Sequence, residues 1–201
     1  MTASPAARSR ADAVRNERRL LEAAGRAFAE YGLDISVGQI VREAGLGKGT
    51  AFRCFPTKDD LVAAIASARL ADLAASAREL LQTDDPGAIY TFMRQAAELY
   101  SRDRGYAEAM SGRLAAHHQI RSAQRQLLDV AEQLVVRAQR AGVLREDLTA
   151  ADLFTLQVGV CHAATRLGDL DAALWQRYLS LMFEVWLPAP GRVLPPPGPA
   201  G

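Results

Sequence analysis

Residues 36–61, SVGQIVREAGLGKGTAFRCFPTKDDL, constrain the fold more than any other stretch of the 201-residue chain. Val37, Ile40, Val41 and Ala44 recur at i, i+3, i+4 and i+7, one face of an α-helix that Ser36 can cap. Gly45 follows the last periodic residue, where helices end in the left-handed conformation, and Leu46 is an apolar plug behind the turn. Lys48–Phe55 is then a helix too short to stand alone, with Ala51 and Phe55 as its core candidates. Gly49, Phe52 and Arg53 point the other way. Pro56 stops it, and Thr57 can cap a further helix with Asp59 and Asp60 in its first turn. Two helices joined by a tight glycine turn, the second with outward side chains that have no core to fill, form the helix-turn-helix layout.

The run resembles the DNA-binding domain of the TetR family of transcriptional regulators. The resemblance is carried by Ile40, Ala44, Gly45, Leu46, Lys48, Gly49, Thr50, Phe52, Phe55, Pro56, Lys58 and Leu61. LLEAAGRAFAEYG, residues 20–32, is similar to the family's first helix, so the resemblance covers about the first third of the chain. Phe52 stands where tyrosine is usual, Gly38 where a polar residue is usual, and Cys54 where histidine or an aromatic is common. The resemblance implies an all-α protein of about nine helices. A three-helix DNA-binding domain would precede a larger helical domain for ligand binding and dimerisation.

Arg53 is the best base-edge reader, because a guanidinium can bond guanine O6 and N7 together. Lys48 can reach a base or a phosphate. Thr50 and Lys58 resemble the family's phosphate contacts. Ser36 can offer a hydroxyl and an N–H to a phosphate, and Phe52 can touch a thymine methyl. Val37 and Gly49 complete the expected DNA face.

Charge supports this polarity. Residues 1–58 carry ten Lys or Arg against six Asp or Glu, a net +4, and the whole chain is +1, which leaves −3 for the rest. A basic head on an acidic body suits a protein that touches DNA at one end. Cys54 and Cys161 form no metal or redox spacing, so reduced thiols in a cytoplasm are expected. The N-terminus shows no secretory h-region, and no apolar run reaches the ~20 residues of a membrane span.

Along the chain, residues 1–11 read as a disordered basic arm, 12–57 as the DNA-binding domain, 58–187 as the ligand and dimer domain, and 188–201 as a Pro/Gly-rich disordered tail. Helix 1 is expected from Asp12 to Tyr31, its buried stripe Leu20, Ala24, Phe28 and Tyr31. Gly25 inside it is an oddity unless something packs closely there. A fourth helix over residues 58–82 links head to body, with Leu61, Ile65, Ala68 and Asp72 as an imperfect stripe. Further helices are expected over 86–102, 106–117, 120–141, 149–167 and 169–186, with Asp103-Arg104-Gly105 as a break.

No catalytic set has usable spacing, and no nucleotide fingerprint is present, so an enzyme is not expected and no cofactor is implied. His117 and His118 are adjacent and diverge by about 100° on a helix. A metal site assembled from His117, His118, Cys161 or His162 stays open at this level. A small-molecule cavity is expected among the body helices, with Phe92, Tyr100, Met110 and Leu114 as walls and Tyr100, His117, His118 and Gln157 as polar groups. The last two helices carry more apolar residues than one core-facing stripe requires. Leu153, Leu156, Val160, Trp175, Tyr178, Leu179, Met182, Phe183 and Trp186 are therefore expected at a homodimer interface.

The reading is a DNA-binding regulator, a repressor released from a palindromic operator by a small molecule. Two alternatives stay open: control by a protein partner or metal, and a helical ligand-binding protein without DNA binding. A salt-dependent shift of duplex DNA separates the latter from the others.

Overall fold

The structure is a computed structural model that describes residues 5–166, 174–188 and 194. Nine α-helices lie among them: α1 (Pro5–Tyr31), α2 (Val37–Glu43), α3 (Lys48–Cys54), α4 (Lys58–Leu81), α5 (Ala88–Arg102), α6 (Arg104–Ser111), α7 (His118–Arg140), α8 (Ala150–Arg166) and α9 (Leu174–Trp186). A 3₁₀ turn, Arg113–Ala116, joins α6 to α7. The described residues contain no strand, and the all-α class holds. No described helix is long and apolar enough to cross a membrane.

Packing divides the chain into two units. Met1–Arg69 and Arg102–Ser122 form the first; Leu70–Ser101 and Ala123–Gly201 form the second. The division differs from the sequence boundary at 57/58, because α6 and the 3₁₀ turn pack with the N-terminal helices.

In the first unit, α1 buries Leu20, Ala23, Ala24, Ala27 and Phe28, spacings of three and four that define one face. It begins at Pro5, seven residues before the expected Asp12, so most of the expected arm is helical; residues 1–4 lie outside the described residues. Tyr31, assigned to the buried stripe, is exposed. The stripe of α4 is also different: Leu61, Val62, Ala66, Leu70, Leu73 and Ala77 are buried, while Ala68 and Asp72 face solvent.

The expected break at residues 103–105 falls at Asp103 alone: α5 ends at Arg102, and Arg104 and Gly105 already belong to α6. The Asp103 carboxylate accepts the Tyr106 N–H at 2.9 Å and caps α6, and its other oxygen accepts Arg69 Nε at 3.1 Å. That pairing lets a carboxylate sit 5 % exposed. Gly105 lies where α6 crosses α1, and a methyl group there would fall 2.6 Å from Phe28 Cβ. The helix expected over 106–117 ends at Ser111, and the chain continues through Gly112 into the 3₁₀ turn.

Gly25 has no such reason. A methyl group there would meet only Arg69 Nη2, at 3.8 Å, an ordinary contact. Gly25→Ala should therefore stabilise the protein by about 1 kcal/mol through helix propensity. Urea unfolding checks this; a lower midpoint would contradict it.

In the second unit, α5 buries Ala88, Ile89, Phe92, Met93, Ala96, Ala97 and Tyr100. The Phe92 ring packs edge-on against Phe154 of α8, centroids 5.9 Å apart. Tyr90 packs edge-on against Phe183 of α9 at 4.9 Å and donates its hydroxyl to the Val143 carbonyl at 2.7 Å. Helix ends are satisfied by side chains. The Arg137 guanidinium donates to the carbonyls of Leu80 at 3.0 Å and Thr83 at 2.7 Å, closing the C-terminus of α4. Thr149 and Asp152 form a reciprocal box at the start of α8. The paired Arg145 guanidinium, bonded to Asp147 at 2.5 and 2.8 Å, holds that carboxyl down at about 2. Asp147 also accepts the Leu194 N–H at 2.8 Å; the rest of the expected disordered tail beyond Pro188, and the expected start of the last helix at residue 169, lie outside the described residues.

Candidate nucleic-acid interface

The helix-turn-helix is built from local chemistry. At the start of α2 the Ser36 hydroxyl accepts the Gln39 N–H at 3.2 Å, and the Gln39 side chain accepts the Ser36 N–H at 3.1 Å. The Ser36 hydroxyl also donates to Gln39 Oε1 at 2.9 Å. The groups that sequence reasoning offered to a phosphate are thus turned inward on Gln39, a capping partner it missed. The amides of Val37 and Gly38, at the first two helical positions, are the donors this helix start leaves for an outside acceptor.

At the other end, Gly45 takes φ +63°, its N–H reaches the Arg42 carbonyl at 3.0 Å, and the Leu46 N–H reaches the Val41 carbonyl at 3.0 Å. This paired closure turns the chain sharply into α3. Ala51 is the buried anchor of α3, whereas Phe55, expected beside it, is only half-buried.

The outward face of α3 has the composition of a surface made to meet another molecule. Lys48, Gly49, Phe52 and Arg53 are exposed and Thr50 is half-buried. Phe52 stands 49 % exposed, a large apolar ring left half in solvent. Arg53 Nη2 donates to Thr50 Oγ1 at 3.2 Å, which orients the guanidinium along the helix. A methyl group at Gly49 would meet nothing within 4 Å, and the same holds at Gly47. Glycine inside a helix costs about 1 kcal/mol relative to alanine, and packing within the chain does not explain it here. A methyl group at Gly38 would lie 3.7 Å from Lys48 Cε, an ordinary contact, so packing gives no reason for this glycine either.

Behind this face, Thr57 and Asp60 cap α4 reciprocally, at 3.0 and 3.1 Å. The Asp60 carboxyl is held below its ordinary range, first by the Thr57 hydroxyl. Lys58 Nζ donates to the Leu33 carbonyl, so this expected phosphate contact is half-buried and partly engaged within the unit. Lys58 lines a cleft of about 270 Å³ with Leu33, Asp59, Val62, Glu108 and Leu114. Glu108 accepts the Leu33 N–H at 2.7 Å, and Arg113 bonds Asp59 at 2.7 and 3.1 Å. These bonds tie residues 102–122 to the corner that carries α2.

The expected effector residues fall into both units. Met110, Leu114, His117 and His118 belong to the first. His117 Nε2 lies 3.7 Å from Asp60, and His118 is exposed beside it, ring centroids 4.6 Å apart. Phe92, Tyr100 and Gln157 belong to the second, and all three are buried. Of the expected interface residues, Leu153, Leu179 and Trp186 are buried within this chain alone and serve its core. Val160, Trp175, Met182 and Phe183 are half-buried, while Leu156 and Tyr178 are exposed.

Known proteins share these features. Residues 20–65 match the family described as bacterial regulatory proteins, tetR family. Residues 84–184 match the transcriptional regulator SbtR-like C-terminal domain. The chain is 43% identical over 53 residues to the HTH-type transcriptional regulator SAB2452 of Staphylococcus aureus (strain bovine RF122 / ET3-1), a match spanning 26% of this chain and 29% of that protein. Across nearly full length it is 31% identical to the TetR transcription regulatory protein from Mycobacterium vanbaalenii, covering 89% of this chain and 98% of that one with a TM-score of 0.61. The TetR transcriptional regulator SCO0520 from Streptomyces coelicolor is 28% identical, covering 86% and 99%, with a TM-score of 0.63.

Proposed function

The chain belongs to the TetR family of transcriptional regulators, and from that premise we propose that it is a homodimeric cytoplasmic repressor, released from a palindromic operator by a small molecule. It acts by binding and not by catalysis. The observation that carries the reading is the outward face of α3: Lys48, Phe52 and Arg53 exposed around a bare Gly49, on a helix anchored from behind by Ala51. Such a face suits insertion into the major groove, with Arg53 reading a base edge and Lys48, Thr50 and the start of α2 meeting phosphates. Two free cysteines, Cys54 and Cys161, support a reducing compartment.

Dimerisation through α8 and α9 is supported by what one chain leaves uncovered. Tyr178, Leu181 and Val185 recur at i, i+3 and i+7 on α9, on a different face from the buried Leu179 and Trp186. Leu181 is 51% and Val185 65% exposed, and Leu156 of α8 is 48% exposed. A second copy would bury this stripe in a four-helix bundle. The double variant Leu181→Asp/Val185→Asp should convert a dimer to a monomer in light scattering at micromolar concentration. A wild-type monomer, or a variant that stays dimeric, would contradict the interface.

Release is a matter of linkage: the effector binds better to a state whose two heads are wrongly spaced for successive major grooves. Titrating operator-bound protein with a panel of small apolar compounds, read by fluorescence anisotropy, tests this. Failure of every compound to release DNA from a protein that binds it specifically would favour control by a partner.

A further inference from the structure

Among the described residues, the inward face of α8 carries one buried amide side chain, Gln157. Ala150, Leu153, Gln157 and Cys161 follow one another at spacings of three, four and four, and all are buried. Gln157 is 2% exposed, and its Oε1 has no hydrogen-bond partner among the described residues. An amide oxygen removed from water and left unbonded is strongly unfavourable, and native interiors leave few such groups without a purpose. A leucine or methionine here would complete an apolar face and avoid the cost altogether. The neighbours on this face sharpen the point. Phe154, one turn before Gln157, packs edge-on against Phe92 at 5.9 Å. Cys161, one turn after it, is a thiol that burial pushes up to about 11, so it stays uncharged at neutral pH. The face therefore presents apolar and aromatic surface around one uncharged amide, whose oxygen has no partner among the described residues.

We propose that Gln157 is the polar contact of the effector site, its Oε1 accepting a hydrogen bond from an uncharged, largely apolar effector that carries one O–H or N–H donor. Phenols and aromatic alcohols are the chemical class that fits. This rests on the reading that the second unit takes a small molecule. A pure hydrocarbon would leave the oxygen unbonded. An anion would set its own acceptors against it, and a cation would find no counter-charge on this face.

Two measurements on the full-length protein test the assignment. The first needs no ligand. Gln157→Met keeps the length and removes the amide, so the unliganded protein should melt about 2–4 °C higher. An unchanged or lower Tm would mean that the amide is satisfied in the folded core, and would overturn the proposal. The second compares phenol with toluene, close in size and differing in the donor, by calorimetry. Phenol should bind the wild type and lose roughly tenfold in affinity to Gln157→Met, while toluene loses nothing. Binding of neither compound, or the same loss for both, would overturn it. Operator release is read separately. Gln157-dependent phenol binding that leaves DNA affinity untouched would support this site and remove the ligand-released reading. Release by compounds that ignore Gln157→Met would do the reverse.

Discussion

Arg53→Ala should weaken binding to a specific duplex by about 1–3 kcal/mol per half-site, roughly fivefold to 150-fold, and relax base preference at one position in each half-site. The side chain projects from the exposed face of α3, and its bond to Thr50 Oγ1 at 3.2 Å limits the directions it can take. A planar guanidinium in a fixed direction can read two acceptors of one base, so its loss removes discrimination as well as charge. Lys58→Ala should behave differently. A bond to phosphate carries no sequence information, so all duplexes should lose affinity alike, and the salt slope should fall by about one unit. Because Lys58 also donates to the Leu33 carbonyl, its variant is compared only after a melting curve shows the fold intact. Anisotropy titrations on specific and random duplexes at several salt concentrations separate the two. Equal losses on both duplexes for both variants would refute this division of roles.

Gly105→Ala should destabilise the protein by about 1–3 kcal/mol, although alanine is the better helix former. The added methyl would lie 2.6 Å from Phe28 Cβ and 2.9 Å from the Phe28 carbonyl oxygen. Phe28 is 1 % exposed, so the ring and backbone cannot step away cheaply. Either α6 lifts from α1, loosening the cap at Asp103, or α1 bends. The melting temperature should fall by several degrees, on the scale of 2–4 °C per kcal/mol for a chain this long. Gly25→Ala, on the same pair of helices, should move it upward. A Gly105→Ala variant that melts at or above the wild type would mean that the close approach of α6 to α1 is not a feature of the folded protein.

The two glycines show where sequence stops being legible. Each sits in a helix, and local propensity penalises both alike. Only the third dimension distinguishes a glycine under a crossing helix from one in ordinary contact with an arginine. The helix-turn-helix was readable because its instructions are local: Gly45 after a periodic stretch, Pro56 after the short helix, Thr57 before the acids of α4. Asp103-Arg104-Gly105 carries signals of the same type, and they mark a helix start as readily as a break. The allegiance of residues 102–122 had no local signature at all. It comes from Arg69 meeting Asp103, Glu108 meeting Leu33 and Arg113 meeting Asp59, pairs 34 to 75 residues apart. For the candidate site, the outward face of α3 was legible from the lack of a core role. The inward turn of Ser36 onto Gln39 and the engagement of Lys58 were not, since a hydroxyl or an ammonium can serve a neighbour or a phosphate with the same chemistry.

The central claim is sequence-specific binding of duplex DNA by a two-fold protein through α3. Selection of bound duplexes from a random-sequence pool by the full-length protein, followed by affinity measurement at physiological salt, tests it most directly. The account predicts an enriched palindrome with half-sites about one helical turn apart, or a small multiple of it, bound at least about 10³-fold more tightly than random duplex. It also predicts that Arg53→Ala collapses most of that ratio. A pool that emerges without a shared sequence, or an enriched site whose preference survives Arg53→Ala unchanged, would contradict it.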